Sequence, residues 1–147
     1  MIGPAKAPAQ AGNSSSEAAC MRNLLIVGMG GFCGAVLRYL VSGGIQRWSQ
    51  SVDFPFGTLA VNLIGCLVIG MLSRLDEVRS VLSPEMRFFI MIGLLGAFTT
   101  YSTFSNEAIN LINDHRFQSA LLYVGFHIVL GLAAVLLGRI STHLFWR

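Results

Sequence analysis

Charged residues are scarce in this chain of 147 residues. Asp, Glu, Lys and Arg make up 12% of it, about half of the roughly 25% that is typical of a soluble globular domain. The sequence contains no run of Lys or Arg, so nucleic acid is not an indicated partner. Its three cysteines, Cys20, Cys33 and Cys66, lack metal-ligand spacing, which argues against a zinc site or a disulfide framework. The scarcity of charge instead favours a protein that lies in a membrane.

Four long stretches contain no Asp, Glu, Lys or Arg at all. A membrane-spanning helix needs about 20 predominantly apolar residues, and the chain is 54% hydrophobic with a mean hydropathy of +0.65. We therefore predict an all-α membrane protein, multi-pass in the cell (inner) membrane and in contact with membrane lipid. Its four transmembrane helices are predicted at about residues 22–46, 55–75, 84–113 and 117–141.

The first 20 residues have a different composition, dominated by Ala, Pro, Gly and Ser without periodicity. This pattern predicts a disordered N-terminal extension over residues 1–20. A four-helix transmembrane domain is predicted over residues 21–147. No apolar run precedes Ala18-Ala19-Cys20, so a signal peptide is not indicated.

The distribution of Lys and Arg bears on orientation in the membrane. The side that holds the N-terminus, the second loop and the C-terminus carries seven of these residues, against three on the other side. Such a bias can orient a membrane protein. Asp76, Glu77 and Glu85 lie on the richer side, however, and the bias does not select a single topology.

Glycines punctuate all four predicted spans, as in Gly30 and Gly34 of the first. Small residues let helices approach closely in a membrane, where no hydrophobic effect drives them together. Gly93 and Gly96 are followed at once by hydroxyl-rich sequence, and this combination weakens a helix. We predict that the third helix is broken near residues 96–99, and a broken helix exposes backbone groups that can hold an ion.

Polar side chains of two spans fall on common helix faces. Thr58 and Asn62 are four residues apart in the second span. In the third span, helical spacing puts four polar side chains on one face, namely Thr99, Ser102, Thr103 and Asn106. The aromatic rings of Tyr101 and Phe104 lie on another face. Neutral donors in series allow an ion to leave as well as to bind, and aromatic edges carry partial positive charge. The lining predicts a pore for a small anion.

Three segments carry a more specific signal: residues 31–39 (GFCGAVLRY), 56–65 (FGTLAVNLIG) and 93–104 (GLLGAFTTYSTF). They closely resemble the signature stretches of the Fluc (CrcB) family of fluoride channels, in the same order and over about residues 22–145. The resemblance implies a fluoride-selective channel that exports fluoride across the cytoplasmic membrane by passive flux and so lowers cytoplasmic fluoride. It also implies an antiparallel (dual-topology) homodimer with two pores.

The resemblance further implies roles for individual residues. A structural sodium ion would be held at the dimer centre through the backbone carbonyls of Gly96 and Thr99. Tyr101 departs from the family, which usually has Phe at this position. The fluoride pathway implied by the resemblance comprises Asn62, Phe104, Tyr101, Thr58, Ser102, Thr103, Ser105 and Arg38.

Two other classes of membrane protein require residues that a channel does not need. A small dual-topology proton-coupled exporter needs an acid that faces a central cavity, and Glu107 would have to serve. A membrane enzyme needs a nucleophile with a base or a metal cluster, and the sequence indicates neither. Glu107 fits a pore role and a helix-end carboxylate about equally, whereas His127 is interpreted as a packing residue.

Overall fold

The computed structural model describes residues 11–51 and 53–145. Within these ranges the chain is helical and contains no strand, so the predicted all-α fold is confirmed. The helices are α1 (Ala11–Ser49), α2 (Phe56–Arg79), α3 (Pro84–Arg87), a π-helical segment (Phe88–Leu94), α4 (Leu95–Phe98), α5 (Tyr101–Asn113) and α6 (Phe117–Phe145).

Four stretches of helix are long and apolar enough to cross a membrane, as predicted. They are Ser16–Ser49, Phe56–Arg79, Pro84–Asn113 and Phe117–Leu144. The third is composite and is built from α3, the π-helical segment, α4 and α5. The second, third and fourth spans begin within one residue of the predicted positions.

The first helix begins earlier than the sequence indicated. Residues 11–20, predicted as part of a disordered extension, form the first turns of α1. Nucleation is the costly step of helix formation, and adding Ala and Ser residues to an existing apolar helix costs little. The rest of the predicted extension, residues 1–10, lies outside the described residues.

The third span is interrupted in mid-course. Helix α4 ends at Phe98, and Thr99 is extended with ψ near 158°. Thr100 is also extended, and its side chain caps α5 by accepting a hydrogen bond from the backbone N–H of Thr103. The predicted break is confirmed, but it lies at residues 99–100, and Gly96 is still inside α4.

Glycines form the closest helix contacts. Gly34 meets the backbone of Leu94, where α1 packs on the π-helical segment, and Gly70 meets that of Val135, where α2 packs on α6. A Cβ atom at either glycine would overlap these backbones. The predicted small-residue packing is thus confirmed at these contacts, whereas Gly125 has no neighbouring atom within 4 Å of such a Cβ.

The described chain buries few large side chains. Its core cluster is small and is centred on Tyr123, which is fully buried, with Leu59, Ala108, Leu111 and Ala120 around it. Most other large apolar side chains lie on the outside of the helices. This distribution suits a lipid environment, in which apolar side chains need no burial inside the protein.

Candidate ion pathway

Helices α2 and α5 are joined by two polar contacts. Asn62 contacts Thr100, and Thr58 contacts Glu107. Asn62 follows Thr58 on α2, whereas its partner Thr100 precedes Glu107 in the third span. The two helices therefore run antiparallel at this interface. We call these four residues the polar line.

At one end of the polar line, Asn62 holds the helix break. Its Oδ1 accepts a hydrogen bond from the N–H of Thr100 at 2.8 Å, and its Nδ2 donates to the carbonyl of the same residue at 3.1 Å. In a continuous helix that N–H would bond to the Gly96 carbonyl. The side chain of Asn62 therefore replaces a helical hydrogen bond and releases the carbonyl of Gly96.

At the other end, Glu107 accepts two hydrogen bonds from hydroxyl groups. Thr58 Oγ1 donates to Oε1 at 3.0 Å, and the buried Tyr123 hydroxyl donates to Oε2 at 2.6 Å. The Thr58 hydroxyl therefore bonds to a neighbouring helix and not to the backbone of its own helix. Glu107 is also not a simple helix-end carboxylate, since both of its oxygens are bound by neighbouring helices.

Aromatic rings cluster beside the polar line. The Tyr101 and Phe104 rings are 5.7 Å apart between centroids. Phe104 also lies 5.5 Å from Tyr123 and 4.2 Å from the His127 ring. Tyr101 is 79% exposed on the outside of the subunit, so it lies where a second protein chain or lipid would contact it.

The hydroxyls of the third span do not share one face. Thr99 lies in the extended break, where its Oγ1 donates to the carbonyl of Leu95, so the helical wheel that grouped it with Ser102 and Thr103 is wrong there. Ser102 and Thr103 instead surround the hydroxyl of Thr100, at 3.4 and 3.0 Å. Ser105 donates to the carbonyl of Tyr101 on its own helix.

Arg38 reaches the same break from α1. Its guanidinium donates to the Thr99 carbonyl across a long distance of 3.5 Å. This predicted pathway residue therefore lies against the backbone of the break. In the described residues, no group of three His, Cys, Asp or Glu side chains could hold a metal ion.

Two cavities flank the polar line. The break cavity, of about 460 Å³, is lined by Asn62, Thr99, Thr100, Tyr101, Phe104 and His127, among others. The loop cavity, of about 430 Å³, is lined by Thr58, Glu107, Gln46, Asp53 and Arg116, among others. The predicted pathway residues Asn62, Tyr101 and Phe104 thus come together in one cavity, and Thr58 lies in the other.

Several residues of the site escaped the sequence analysis. Gln46 ties α1 to α2, because its Nε2 donates to the carbonyls of Ser51 and Phe54 and its Oε1 accepts from the N–H of Gly57. Tyr123 anchors Glu107, and Thr100 supplies both groups that Asn62 binds. No short-range pattern marks these residues, since each of them acts across helices.

Four apolar spans, an interrupted third span and a polar line between two cavities define a small helical membrane protein of the channel and transporter class. The model of the CrcB-like family, "CrcB-like protein, Camphor Resistance (CrcB)", matches residues 25–139. The chain belongs to this family, and it is a multi-pass protein of the cell membrane.

Relatives with assigned names agree with this family. "Fluoride-specific ion channel FluC 1" of Methanosarcina acetivorans is 42% identical over 121 residues, which cover 82% of this chain and 91% of the relative. "Fluoride-specific ion channel FluC" of Shewanella frigidimarina is 48% identical over 120 residues, which cover 81% of this chain and 94% of the relative. A protein of the same name from Maridesulfovibrio salexigens is 43% identical over 118 residues, which cover 80% of this chain and 93% of the relative.

Proposed function

We propose that the chain is a fluoride channel that lets fluoride leave the cell down its own gradient. The observation that carries the proposal is the Asn62 amide at one end of the polar line, which lines the break cavity together with the Phe104 ring. Uncharged donors bind a small anion without trapping it. The names of the relatives supply the identity of the anion. They are named ion channels, and no catalytic activity is proposed.

The pathway is proposed to follow Thr58, Asn62, Phe104 and the hydroxyls of Ser102 and Thr103. The amide Nδ2 of Asn62 has two hydrogens, and its bond to the Thr100 carbonyl uses one of them. The other can donate to an anion in the break cavity. The Phe104 ring adds an edge with partial positive charge at the same place.

Fluoride efflux from liposomes tests this function. Purified protein in vesicles loaded with potassium fluoride should release fluoride when valinomycin is added, and vesicles loaded with potassium chloride should release little chloride. Equal rates for the two halides would exclude a fluoride-selective channel. Channel efflux should depend on valinomycin and move no protons, whereas a proton-coupled exporter would move protons with fluoride, which a pH indicator inside the vesicles would report.

A homodimer and a sodium ion belong to the same proposal. The break releases the Gly96 carbonyl, and Thr99 presents a second carbonyl outside any helix. Hard cations prefer such oxygen ligands, but two carbonyls are a small set, so a second copy of the chain would have to complete it. Arg38 lies against the Thr99 carbonyl and would have to turn away for a cation to bind there.

Sodium-dependent stability tests the ion site apart from transport. The melting temperature of the purified protein in detergent should rise with sodium chloride but not with N-methylglucamine chloride at equal ionic strength. Thr99→Ser should keep this response, because it alters the side chain and leaves the carbonyl in place. A melting temperature that ignores sodium would exclude the ion while leaving the fluoride channel intact.

A further inference from the structure

His127 has an incomplete set of hydrogen bonds at the centre of the site. Its Nδ1 lies 3.0 Å from the carbonyl of Tyr123, one turn earlier on α6. Its Nε2 is buried and has no hydrogen-bond partner. A buried polar atom without a partner is destabilising, so a bare Nε2 in a side chain that lines the break cavity points to a ligand there.

The carbonyl of Tyr123 determines which nitrogen carries the proton. A carbonyl can only accept, so Nδ1 must donate to it. In the neutral imidazole, Nε2 is then a bare acceptor, which repels an anion. When the ring takes up a proton, Nε2–H becomes a charged donor, and an anion can bind to it.

The position of His127 puts this change beside the proposed fluoride pathway. The side chain lines the break cavity with Asn62 and Phe104, and its ring centroid is 4.2 Å from that of Phe104. Histidine is also the side chain whose charge ordinarily changes near neutral pH. We propose that His127 is an anion site that protonation switches on, so that this chain conducts fluoride faster on the acid side of neutrality.

The neighbouring ionisable groups agree with such a switch. Glu107 is linked to His127 through Tyr123, which donates its hydroxyl to the carboxylate while its carbonyl accepts from the imidazole. Tyr101 on α5 and Cys66 on α2 also line the break cavity, while the π-helical segment and α4 contribute no ionisable group to it. Burial of the ring disfavours the imidazolium, whereas the Tyr123 carbonyl, the negative charge of Glu107 and an incoming fluoride ion favour it. Binding and protonation then promote each other reciprocally.

The pH profile of fluoride efflux tests the proposal, which rests on the proposed channel function. At fluoride concentrations far below saturation, the initial efflux rate should rise roughly fivefold or more between about pH 7.5 and pH 5.5, the low end of typical coupling between two sites. Protein-free vesicles correct for hydrogen fluoride that crosses the lipid. His127→Gln should conduct with a flat profile, and His115→Asn and His143→Gln, which alter the other two histidines of the chain, should keep the wild-type profile.

The two ideas fail in different ways. Wild-type protein that releases no fluoride at any pH would overturn the channel, and fluoride release that is flat or falls with acid would overturn the histidine switch alone. An unchanged pH response in His127→Gln would also overturn the switch.

Nitrogen NMR gives a second test that does not depend on the folding of His127→Gln. In a His115→Asn, His143→Gln double variant, His127 is the sole histidine. Its ¹⁵N spectrum at about pH 8 should show a protonated Nδ1 and a bare Nε2. Sodium fluoride at about pH 6.5 should increase the doubly protonated fraction, and sodium chloride should not. A protonated Nε2 in the neutral ring, or no response to fluoride, would contradict the assignment.

Discussion

Asn62 has two tasks in this structure, since its amide holds the backbone of Thr100 and also faces the break cavity. The sequence pointed to Asn62 as a pathway residue through the helix face that it shares with Thr58 and through the family resemblance. The partner turned out to be the main chain of the third span. A side chain that both shapes and lines a pathway is sensitive to small changes.

Asn62→Asp is predicted to abolish measurable fluoride efflux. The carboxylate cannot donate to the Thr100 carbonyl, and its charge would repel an anion at about 4 Å by roughly 4 kcal/mol at an effective dielectric constant of 20. That energy corresponds to about a thousandfold in rate. Asn113→Asp, the same change at the exposed end of α5, is the control and should retain the wild-type rate. Normal efflux through Asn62→Asp would place the pathway elsewhere.

The two aromatic residues are predicted to respond differently. Phe104→Ile keeps apolar bulk but removes the ring that packs on Tyr123 and His127, and aromatic pairs contribute about 0.5–1.5 kcal/mol each. Fluoride efflux should fall by about tenfold or more if the ring edge also contacts the ion. Tyr101→Phe keeps the ring, and its hydroxyl has no hydrogen bond in the described chain, so its rate should stay near that of the wild type. The reverse order of effects would make the tyrosine hydroxyl the essential ligand.

At the scale of secondary structure, the broken third span is the element on which the site depends. Gly65 on α2 lies directly against the Cγ2 methyl of Thr99, where a Cβ atom would overlap it. Asn62, three residues earlier on the same helix, binds Thr100. One stretch of α2 therefore contacts both residues of the break: Gly65 packs against Thr99, and Asn62 forms hydrogen bonds with Thr100.

Gly65→Ala is predicted to displace the break and to lower both stability and efflux. Overpacking of this kind typically costs about 1–3 kcal/mol. Thr99→Ser removes the obstructing methyl group, so the double variant should recover most of the loss, as a melting temperature and a fluoride efflux rate would show. Gly125→Ala adds the same methyl where nothing lies within 4 Å, and it should be harmless. A double variant as impaired as Gly65→Ala alone would refute the proposed clash.

At the scale of the whole molecule, ion pairs lie at both ends of the membrane-spanning helices. Arg22, Arg87 and Arg139 pair with Glu85, Asp76 and Glu77 at one end, and Arg116 pairs with Asp53 at the other. The excess of arginine that the sequence shows on one side is thus partly neutralised by neighbouring carboxylates. Because acidic residues contribute little to orientation in a membrane, the Lys and Arg bias remains, and the orientation has to be measured.

Cysteine labelling from outside the cell measures the orientation. In a variant with Cys20, Cys33 and Cys66 replaced by Ser or Ala, a single cysteine is introduced at Val81 or at Asp114, which lie in successive loops. Dual topology predicts that an impermeant maleimide labels about half of the protein at each position, because the two orientations are equally populated. Complete labelling at one position and none at the other would establish a single orientation.

The sequence by itself determined the four spans, the interruption of the third and the family, because each of these is encoded locally. Charge-free runs of about 20 residues specify spans, and glycines followed by hydroxyls weaken a helix in place. The partners of the polar groups required the tertiary structure. Thr58 binds Glu107, Asn62 binds Thr100, and His127 is left with a bare nitrogen because three helices meet there. Such contacts join residues tens of positions apart, and no periodicity along the chain records which pairs will meet.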